Sequence, residues 1–287
     1  LGTVEVNELG FRGPAPRRAA EAGTTRIACL GDSFTHGWGV AKDQTYPREL
    51  ERVLSEAGRR VEVLNFGQPG YNLWNTARLY EKVVRPIAPD VCVLGIYLND
   101  AQPEAGGPRN TDALWLRMIG RTAIAEAFHR HLRRRIRWFD AGRTPEQKAW
   151  IAGYRDHWHE IENEPESAAG RPYWQAASES LAERARACAD DGAELVVVLF
   201  PSHEQWVDLR NAPEEAWPTR TKTQAFLAAR ARDLGLPVLD VLAPLLAADE
   251  DPYGPVDFGH PSPLGYSIIA AEVARFLEDE GLLASER

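Results

Sequence analysis

The chain has 287 residues, which is enough for one large α/β domain or two small ones. Its residues are 44% hydrophobic and 26% charged, as in an ordinary globular protein, and no apolar run approaches the roughly 18 residues that a membrane-spanning helix needs. The formal charge of -9 argues against a nucleic acid as the partner of the surface as a whole.

The cysteines and the first residue bear on the compartment. Cys29, Cys92 and Cys188 are odd in number and widely spaced, which predicts buried thiols rather than a disulfide framework or a zinc site. The chain begins with Leu1 and its only methionine is Met118, so we expect that residues have been removed from its start. An export signal or an anchor ahead of Leu1 therefore stays open, as do the compartment and the oligomeric state.

The first part of the chain alternates between short apolar runs and helical patterns, in which apolar residues recur at steps of three and four. The runs predict strands over Arg26–Leu30, Val61–Asn65 and Val91–Tyr97. The patterns between them predict helices over Tyr46–Ala57 and Asn75–Pro86.

The alternation returns in the last part of the chain. It predicts helices over about Trp174–Asp190, Thr223–Leu234 and Pro263–Leu282, and strands over Leu195–Phe200 and Val238–Val241. Five strands separated by helices indicate an α/β fold, a three-layer α/β/α sandwich around a five-stranded parallel sheet of flavodoxin-like order 2-1-3-4-5. Ligands of such folds bind at the carboxyl ends of the strands.

Residues from about 101 to 171 interrupt this alternation between the third and fourth strands. The segment is too long for a plain crossover and too regular in pattern for a linker, so we interpret it as a helical insertion. We interpret residues 1–287 as a single domain with an N-terminal extension over residues 1–24.

A basic segment within the insertion, Arg117–Arg137, holds seven arginines and one glutamate, a local charge of +6 in an acidic chain. Its apolar residues follow helical spacing: Phe128, Leu132, Ile136 and Phe139. One interpretation is peripheral contact with a membrane or an acidic substrate. The interpretation that we favour is a lid helix with a solvated arginine face. Tyr154, Trp158 and Trp174 are further candidates to line a cleft.

A candidate nucleophile follows the first predicted strand, in Gly31-Asp32-Ser33. Ser33 lies where a parallel strand ends and a helix begins, so its backbone N–H can stabilise an oxyanion with help from the helix N-terminus. Taken alone, the triplet is more simply explained as a helix cap formed by Asp32 or Ser33. The nucleophile therefore needs support from other parts of the chain.

A candidate base lies in the turn from Asp257 to Pro261 (DFGHP). A serine needs a base to become a nucleophile, and the unperturbed pKa of histidine suits that task. Asp257 is placed to hold the Nδ1 side of the His260 ring, and the alternative is a surface turn before the last helix with an incidental histidine. His203 has no acid three residues before it, and His36 is more simply explained as a solvated residue at a helix start.

Two more strand ends carry donors for an oxyanion. Gly70 follows the second strand and Asn99 follows the third. A glycine lets the backbone approach a ligand closely, and an asparagine amide offers N–H groups without a charge. Judged singly, Pro69-Gly70 is an ordinary turn and Asn99-Asp100 an ordinary loop start. They gain weight because all of these sites lie on one predicted edge of the sheet.

Together these residues resemble the four sequence blocks of the SGNH hydrolases, the GDSL-like lipases and esterases: Gly31-Asp32-Ser33, Gly70, Asn99-Asp100, and Asp257 with His260. The resemblance covers the three-layer core but not the insertion. It implies Ser33 as nucleophile, His260 as general base and then acid, and Asp257 as the residue that orients it. It implies the Ser33 N–H, the Gly70 N–H and the Asn99 side chain as oxyanion donors, with no metal or cofactor.

Two further patterns bear on this resemblance. The sequence contains no Gly-x-Ser-x-Gly, which argues against the larger α/β-hydrolase family. The stretch Asn7–Gly13 (NELGFRG) is similar to an extension of some bacterial SGNH members.

The implied reaction is hydrolysis of a carboxylic ester or thioester through an acyl-enzyme on Ser33. The substrate is expected to be a small-molecule, glycan or lipid ester, and its acyl and leaving groups stay open. One alternative is an O-acyltransferase that uses the same triad with a sugar or metabolite hydroxyl as acceptor. A second is a non-catalytic glycan- or lipid-binding module, which we favour least because binding alone does not need this set of residues.

Overall fold

The structure is a computed structural model that describes residues 4–17, 20–101, 159–254 and 259–283. Its sheet has five strands in the order β2-β1-β3-β4-β5, and every neighbouring pair is parallel. The strands are β1 (Thr25–Gly31), β2 (Val61–Gly67), β3 (Val91–Ile96), β4 (Glu194–Leu199) and β5 (Val238–Asp240). The predicted flavodoxin-like order is confirmed.

Helices follow each strand. They are α1 (Ser33–His36), α2 (Tyr46–Glu56), α3 (Leu73–Leu79), α4 (Arg171–Asp190), α5 (His203–Leu209), α6 (Trp217–Arg220), α7 (Lys222–Asp233), α8 (Leu242–Leu246) and α9 (Pro263–Asp279). Single turns of 3₁₀-helix form at Lys42–Gln44, Arg85–Ile87, Leu98–Ala101 and Glu214–Ala216. Residues 159–163 are also helical.

The sequence of β3 explains why both faces of the sheet are covered. Successive side chains of a strand point to opposite faces, so an unbroken apolar run predicts burial on both. Cys92, Leu94 and Ile96 pack in one apolar cluster, with α3, α4 and α7. Val91 and Val93 pack in the other, with α2, α8 and α9. The predicted three layers are therefore confirmed.

Two helix boundaries show how prolines and caps act in this chain. The helix predicted over Asn75–Pro86 ends earlier, at Leu79, and continues as a π-helical turn and a 3₁₀ turn that contains Pro86. Pro86 cannot donate the backbone hydrogen bond that an α-helix would require there. At α9, the backbone N–H of Gly265 donates to Ser262 Oγ over 3.2 Å, and Pro263 takes the first helical position as predicted.

The predicted insertion lies mostly outside the described residues, including Arg117–Arg137, Tyr154 and Trp158. At its end, Trp174 lies on α4 with none of its surface exposed, and its Nε1 donates to the carbonyl oxygen of Ile161 over 2.6 Å. The prediction that Trp174 lines a cleft is wrong. A large ring with a satisfied N–H belongs to the core here.

The three cysteines are buried and free, as predicted. Burial raises the pKa of Cys29 to about 12, so its thiol stays protonated at neutral pH. Within the described ranges, the structure contains no helix that is both long and apolar enough to cross a membrane.

Candidate active site

Ser33 is positioned by the sharp transition from β1 to α1. Gly31 has a φ of 153°, and a Cβ atom there would lie 2.3 Å from Thr35 Oγ1 and 3.0 Å from the carbonyl oxygen of Gly95. Only glycine fits this conformation and this close approach. Asp32 then caps α1, because the backbone N–H of Phe34 donates to its Oδ1 over 2.9 Å. Asp32 therefore caps the helix, and Ser33 remains partly exposed at the first helical position.

The structure brings the predicted nucleophile and base together. Ser33 Oγ and His260 Nε2 lie 2.8 Å apart, although 227 residues separate them in the sequence. Both residues are half-buried, so the pair remains open to solvent on one side. This distance is within the reach required for proton transfer between a serine hydroxyl and a neutral imidazole.

The loop that carries His260 is held by the segment just before it. Tyr253 and Pro261 form an isolated antiparallel bridge, and the N–H of Gly254 donates to the carbonyl oxygen of His260 over 3.3 Å. The Tyr253 hydroxyl donates to the carbonyl oxygen of Pro201 over 2.8 Å, directly after β4. Tyr253 therefore connects the loop of the candidate base to the carboxyl edge of the sheet.

The predicted orienting acid, Asp257, lies outside the described residues. Its role remains a prediction.

The two further oxyanion candidates follow neighbouring strands at the same edge as Ser33. Gly70 lies three residues after β2 with a φ of 77°, in a turn closed by the N–H of Tyr71 donating to the carbonyl oxygen of Gln68 over 3.1 Å. Asn99 lies in the 3₁₀ turn after β3, and its buried Oδ1 has no hydrogen-bond partner among the described residues. Both loops are therefore placed to face the end of β1.

Aromatic rings lie beside the candidate base. The ring centroid of Phe34 lies 5.1 Å from that of His260, and Tyr97 stacks on Phe34 at 4.3 Å. Trp38 lies 6.4 Å from His260 and is 41% exposed. The prediction of site residues did not include Trp38 or Tyr97. Their positions, five residues after Ser33 and directly after β3, were the signals that could have identified them.

Two buried carboxyl groups lie behind Ser33. Burial raises the pKa of Asp32 to about 6, and burial together with the charge of Asp32 raises the pKa of Asp100 well above its usual range. The N–H of Tyr97 donates to Asp100 Oδ2 over 2.6 Å. Like charges that share a buried region cannot both ionise without a large cost, so this region holds at most one negative charge near neutral pH.

His36 differs from its predicted solvated state. It is 5% exposed, and its Nδ1 lies 3.3 Å from the carbonyl oxygen of Gly67. Burial, with a smaller contribution from the charge of Arg12, lowers the pKa of His36 to about 4. The side chain is therefore neutral at pH 7. The solvated interpretation fails because the turn after α1 folds back against the end of β2.

The competing histidine, His203, lies in a different environment. Its Nε2 is 3.7 Å from Asp251 Oδ2, and its ring packs against those of Trp206 and Tyr253. Its contacts place it beside the segment that supports the His260 loop.

Among the residues that the structure describes, no group of three or more His, Cys, Asp or Glu side chains could hold a metal ion.

Comparisons with known proteins identify a family and similar folds. The sequence model of the GDSL-like lipase/acylhydrolase family matches residues 29–268, whereas a comparison with curated protein sequences gives no significant match. The lipase/acylhydrolase from Enterococcus faecalis is 16% identical, with a TM-score of 0.52 over 92% of this chain and 100% of that chain. A mutant of Axe2, an acetyl-xylooligosaccharide esterase from Geobacillus Stearmophilus, is 14% identical, with a TM-score of 0.53 over 91% of this chain and 96% of that chain. TesA is 15% identical, with a TM-score of 0.51 over 90% of this chain and 100% of that chain. At these identities the structures show a shared fold.

Proposed function

The chain belongs to the GDSL-like lipase/acylhydrolase family, and from that membership we propose that it is a serine hydrolase that cleaves a carboxylic ester or thioester through an acyl-enzyme on Ser33. The observation that carries the proposal is the 2.8 Å distance between Ser33 Oγ and His260 Nε2. A serine hydroxyl is a weak nucleophile at neutral pH, and a base within hydrogen-bonding distance is what activates it.

In the proposed first half-reaction, His260 Nε2 takes the hydroxyl proton while Ser33 Oγ attacks the substrate carbonyl carbon. The carbonyl oxygen becomes an oxyanion, which the N–H groups of Ser33 and Gly70 and the amide of Asn99 stabilise. The imidazolium of His260 then gives its proton to the leaving oxygen or sulfur, and the bond between that atom and the acyl carbon breaks. Asp257 stabilises the imidazolium and orients its ring.

In the second half-reaction, His260 removes a proton from water, and the resulting hydroxide attacks the acyl carbon. The same donors stabilise the second oxyanion. The bond between the acyl carbon and Ser33 Oγ breaks as His260 returns the proton to Oγ, so the carboxylic acid leaves and the free serine is restored. The proposed steps use only these side chains, the two backbone N–H groups and water.

The environment of the pair supports a carbonyl substrate. Phe34, Tyr97 and Trp38 give the base an apolar wall, with Trp38 open to solvent. A partly dehydrated site strengthens the interaction between oxyanion and donors.

The test combines an ester panel with covalent labelling. p-Nitrophenyl esters of increasing acyl length are assayed with the parent chain, with Ser33→Ala, and with Ser178→Ala as a matched control whose hydroxyl lies on α4 and donates to the Trp174 carbonyl. We expect a fluorophosphonate to label the Ser33 peptide in the parent and the control but not in Ser33→Ala. A folded parent that neither turns over any ester nor takes the label contradicts the proposal. Mass spectrometry with added alcohols separates hydrolysis from acyl transfer to an acceptor.

A further inference from the structure

The segment that precedes β1 has a fixed shape of its own. We define the N-terminal strap as residues 5–13, which lie before the family match at residues 29–268. Asn7 closes it, because Oδ1 accepts from the N–H groups of Leu9 and Phe11 over 3.0 and 3.2 Å, and Nδ2 donates to the carbonyl oxygen of Pro14 over 3.1 Å. A side chain that holds its own backbone in this way orders a segment without regular secondary structure.

The strap inserts an aromatic ring and a cation into the body of the protein. Phe11 is 6% exposed and meets Phe66 of β2 edge-on, with ring centroids 5.0 Å apart. Arg12 is 5% exposed. Its Nη1 donates to the carbonyl oxygens of Gly37 and His36 over 2.5 and 3.4 Å, and its Nη2 donates to that of Val40 over 2.9 Å.

These three carbonyl groups belong to the turn that follows Ser33. The helix α1 has only four residues, and a single helical turn is not stable by itself in water. Asp32 caps its first turn, and Gly37 ends it in the left-handed conformation with a φ of 79°. Arg12 adds a tertiary contact at the end of this turn, with a planar fork of donors that fits several carbonyl oxygens at once.

The same turn carries Trp38, whose ring lies 6.4 Å from that of His260. The carbonyl groups on both sides of Trp38, at Gly37 and Val40, are the ones that Arg12 binds. Because Arg12 holds the backbone at Gly37 and at Val40, it limits the movement of the Trp38 ring beside the candidate base.

The strap also reaches the loop after β2. Gln68 Nε2 donates to the carbonyl oxygen of Gly10 over 3.2 Å. The backbone N–H of Gln68 donates to the carbonyl oxygen of Gly31 over 3.0 Å. Gln68 lies two residues before Gly70, so one strap contacts both the loop of the nucleophile and the loop of an oxyanion candidate.

We propose that Arg12 is a positioning residue for the active site, through which the N-terminal strap fixes the Ser33 turn and the Trp38 wall in register with the loop of Gly70. The inference rests on the proposed function, because it assigns Arg12 a role in a reaction at Ser33. It extends the active-site scaffold to a part of the chain outside the family match.

The test compares Arg12→Ala and Arg12→Lys with Arg17→Ala, an exposed arginine of the same extension whose side chain pairs with Glu21. For each variant, the folded sites are counted by fluorophosphonate titration at a temperature well below the melting temperature. The rate constant of labelling at Ser33, kcat and KM are then measured per titrated site. This normalisation removes a merely structural loss, which changes the number of folded sites but not the rate at each one.

We expect Arg12→Ala to lower kcat and the labelling rate by about 10- to 100-fold with KM within about three-fold of the parent, as a slightly misplaced nucleophile would. Arg12→Lys is expected between that variant and the parent, and Arg17→Ala at the parent rate. If Arg12→Ala does not fold, Arg12→Lys decides the question, because it keeps the charge but loses the fork of donors.

Parental rates per site in the folded Arg12 variants overturn the inference, and so does an equal loss in Arg17→Ala. Failure of the proposed function is distinguishable, because in that case the parent itself takes no label at Ser33.

Discussion

Nδ1 of His36 lies 3.3 Å from the carbonyl oxygen of Gly67, so a buried imidazole joins the turn after the candidate nucleophile to the end of β2. Only one protonation state suits this position. The neutral ring, with its proton on Nδ1, donates to Gly67, whereas a charged ring would be buried near the guanidinium of Arg12. We therefore expect His36 to make the stability of this edge of the sheet depend on pH.

The first prediction concerns acid stability. The pKa of His36 is about 4 in the folded protein and about 6.5 in the unfolded chain, so the unfolded chain binds the proton more readily. The contribution of His36 is complete above pH 6.5 and is lost as the pH falls towards 4, by up to roughly 3 kcal/mol. His36→Asn keeps a donor but does not titrate. Urea unfolding at several pH values should therefore show a shallower acid loss for His36→Asn than for the parent; parallel curves contradict the assignment.

A second prediction has the opposite sign. Burial raises the pKa of Asp32 to about 6, so its contribution to stability is complete below about pH 4 and is lost as the pH rises through 6. Asp32→Asn keeps the acceptor for the Phe34 N–H and removes the charge. The free energy of unfolding of the variant, relative to that of the parent, should therefore increase by on the order of 2 to 3 kcal/mol as the pH rises from 4 to 7. The exposed Asp43→Asn is the control, and a pH-independent difference for Asp32→Asn would show that its carboxyl is not perturbed.

The third prediction tests the close approach of two backbones. A Cβ atom on Gly67 would lie 2.1 Å from the backbone nitrogen of His36, so Gly67→Ala must push the end of β2 away from α1. We expect a loss of about 3 kcal/mol in the free energy of unfolding, together with lower activity. Gly192→Ala is the control, because a Cβ there meets no atom within 4 Å and only its φ of 76° adds strain. Equal losses in the two variants would contradict a clash at Gly67.

The fourth prediction concerns the oxyanion donors. Asn99→Ala should lower kcat roughly 100- to 1,000-fold with little change in KM, because the amide acts on charge that develops in the transition state. Asn163→Ala, which loses an amide hydrogen bond to the His159 carbonyl on the surface, should retain parental kinetics. Steady-state kinetics on a p-nitrophenyl ester provide the measurement. A parental rate in folded Asn99→Ala removes this residue from the mechanism.

The fifth prediction separates stability from activity with two tyrosines. Tyr253→Phe removes the hydrogen bond to Pro201, and Tyr80→Phe removes a bond of 2.9 Å to Asp191 Oδ2 on the other face of the sheet. Each should cost about 1 kcal/mol of stability. Only Tyr253→Phe should also lower kcat, by about three- to ten-fold, because its loop carries His260. Unfolding and turnover measured on both variants check this, and an unchanged kcat in Tyr253→Phe rules out a positioning role.

The strands of the sheet could be predicted from local sequence patterns, and the edge that carries the candidate site could be predicted from the order of the strands. Continuous apolar runs such as Val91–Ile96 have one stable environment, between two layers of helices, so their order and direction were predictable. Once the strands are parallel, the ends of β1, β2 and β3 meet at one edge, and Ser33, Gly70 and Asn99 come with them. The pairing of Ser33 with His260 followed from the same reasoning.

What the sequence did not show depends on contacts between distant segments. Trp174 carries no local signal that separates a core ring from a cleft wall, and its burial is set by packing of α4 on the residues around 161. The burial of His36 depends on the return of its turn to β2. Arg12 resembles any charged residue of a polar extension until the carbonyl groups of residues 36, 37 and 40 are seen around it.

The separation of 227 residues between Ser33 and His260 also has a consequence for synthesis. A ribosome builds a chain from its N-terminus, so the candidate nucleophile leaves it 227 residues before the candidate base. In the proposed mechanism, a nascent chain that already has Ser33 at the end of β1 lacks its base until the turn before α9 has been synthesised and has folded. The proposed reaction would therefore start only after all five strands of the sheet have been synthesised.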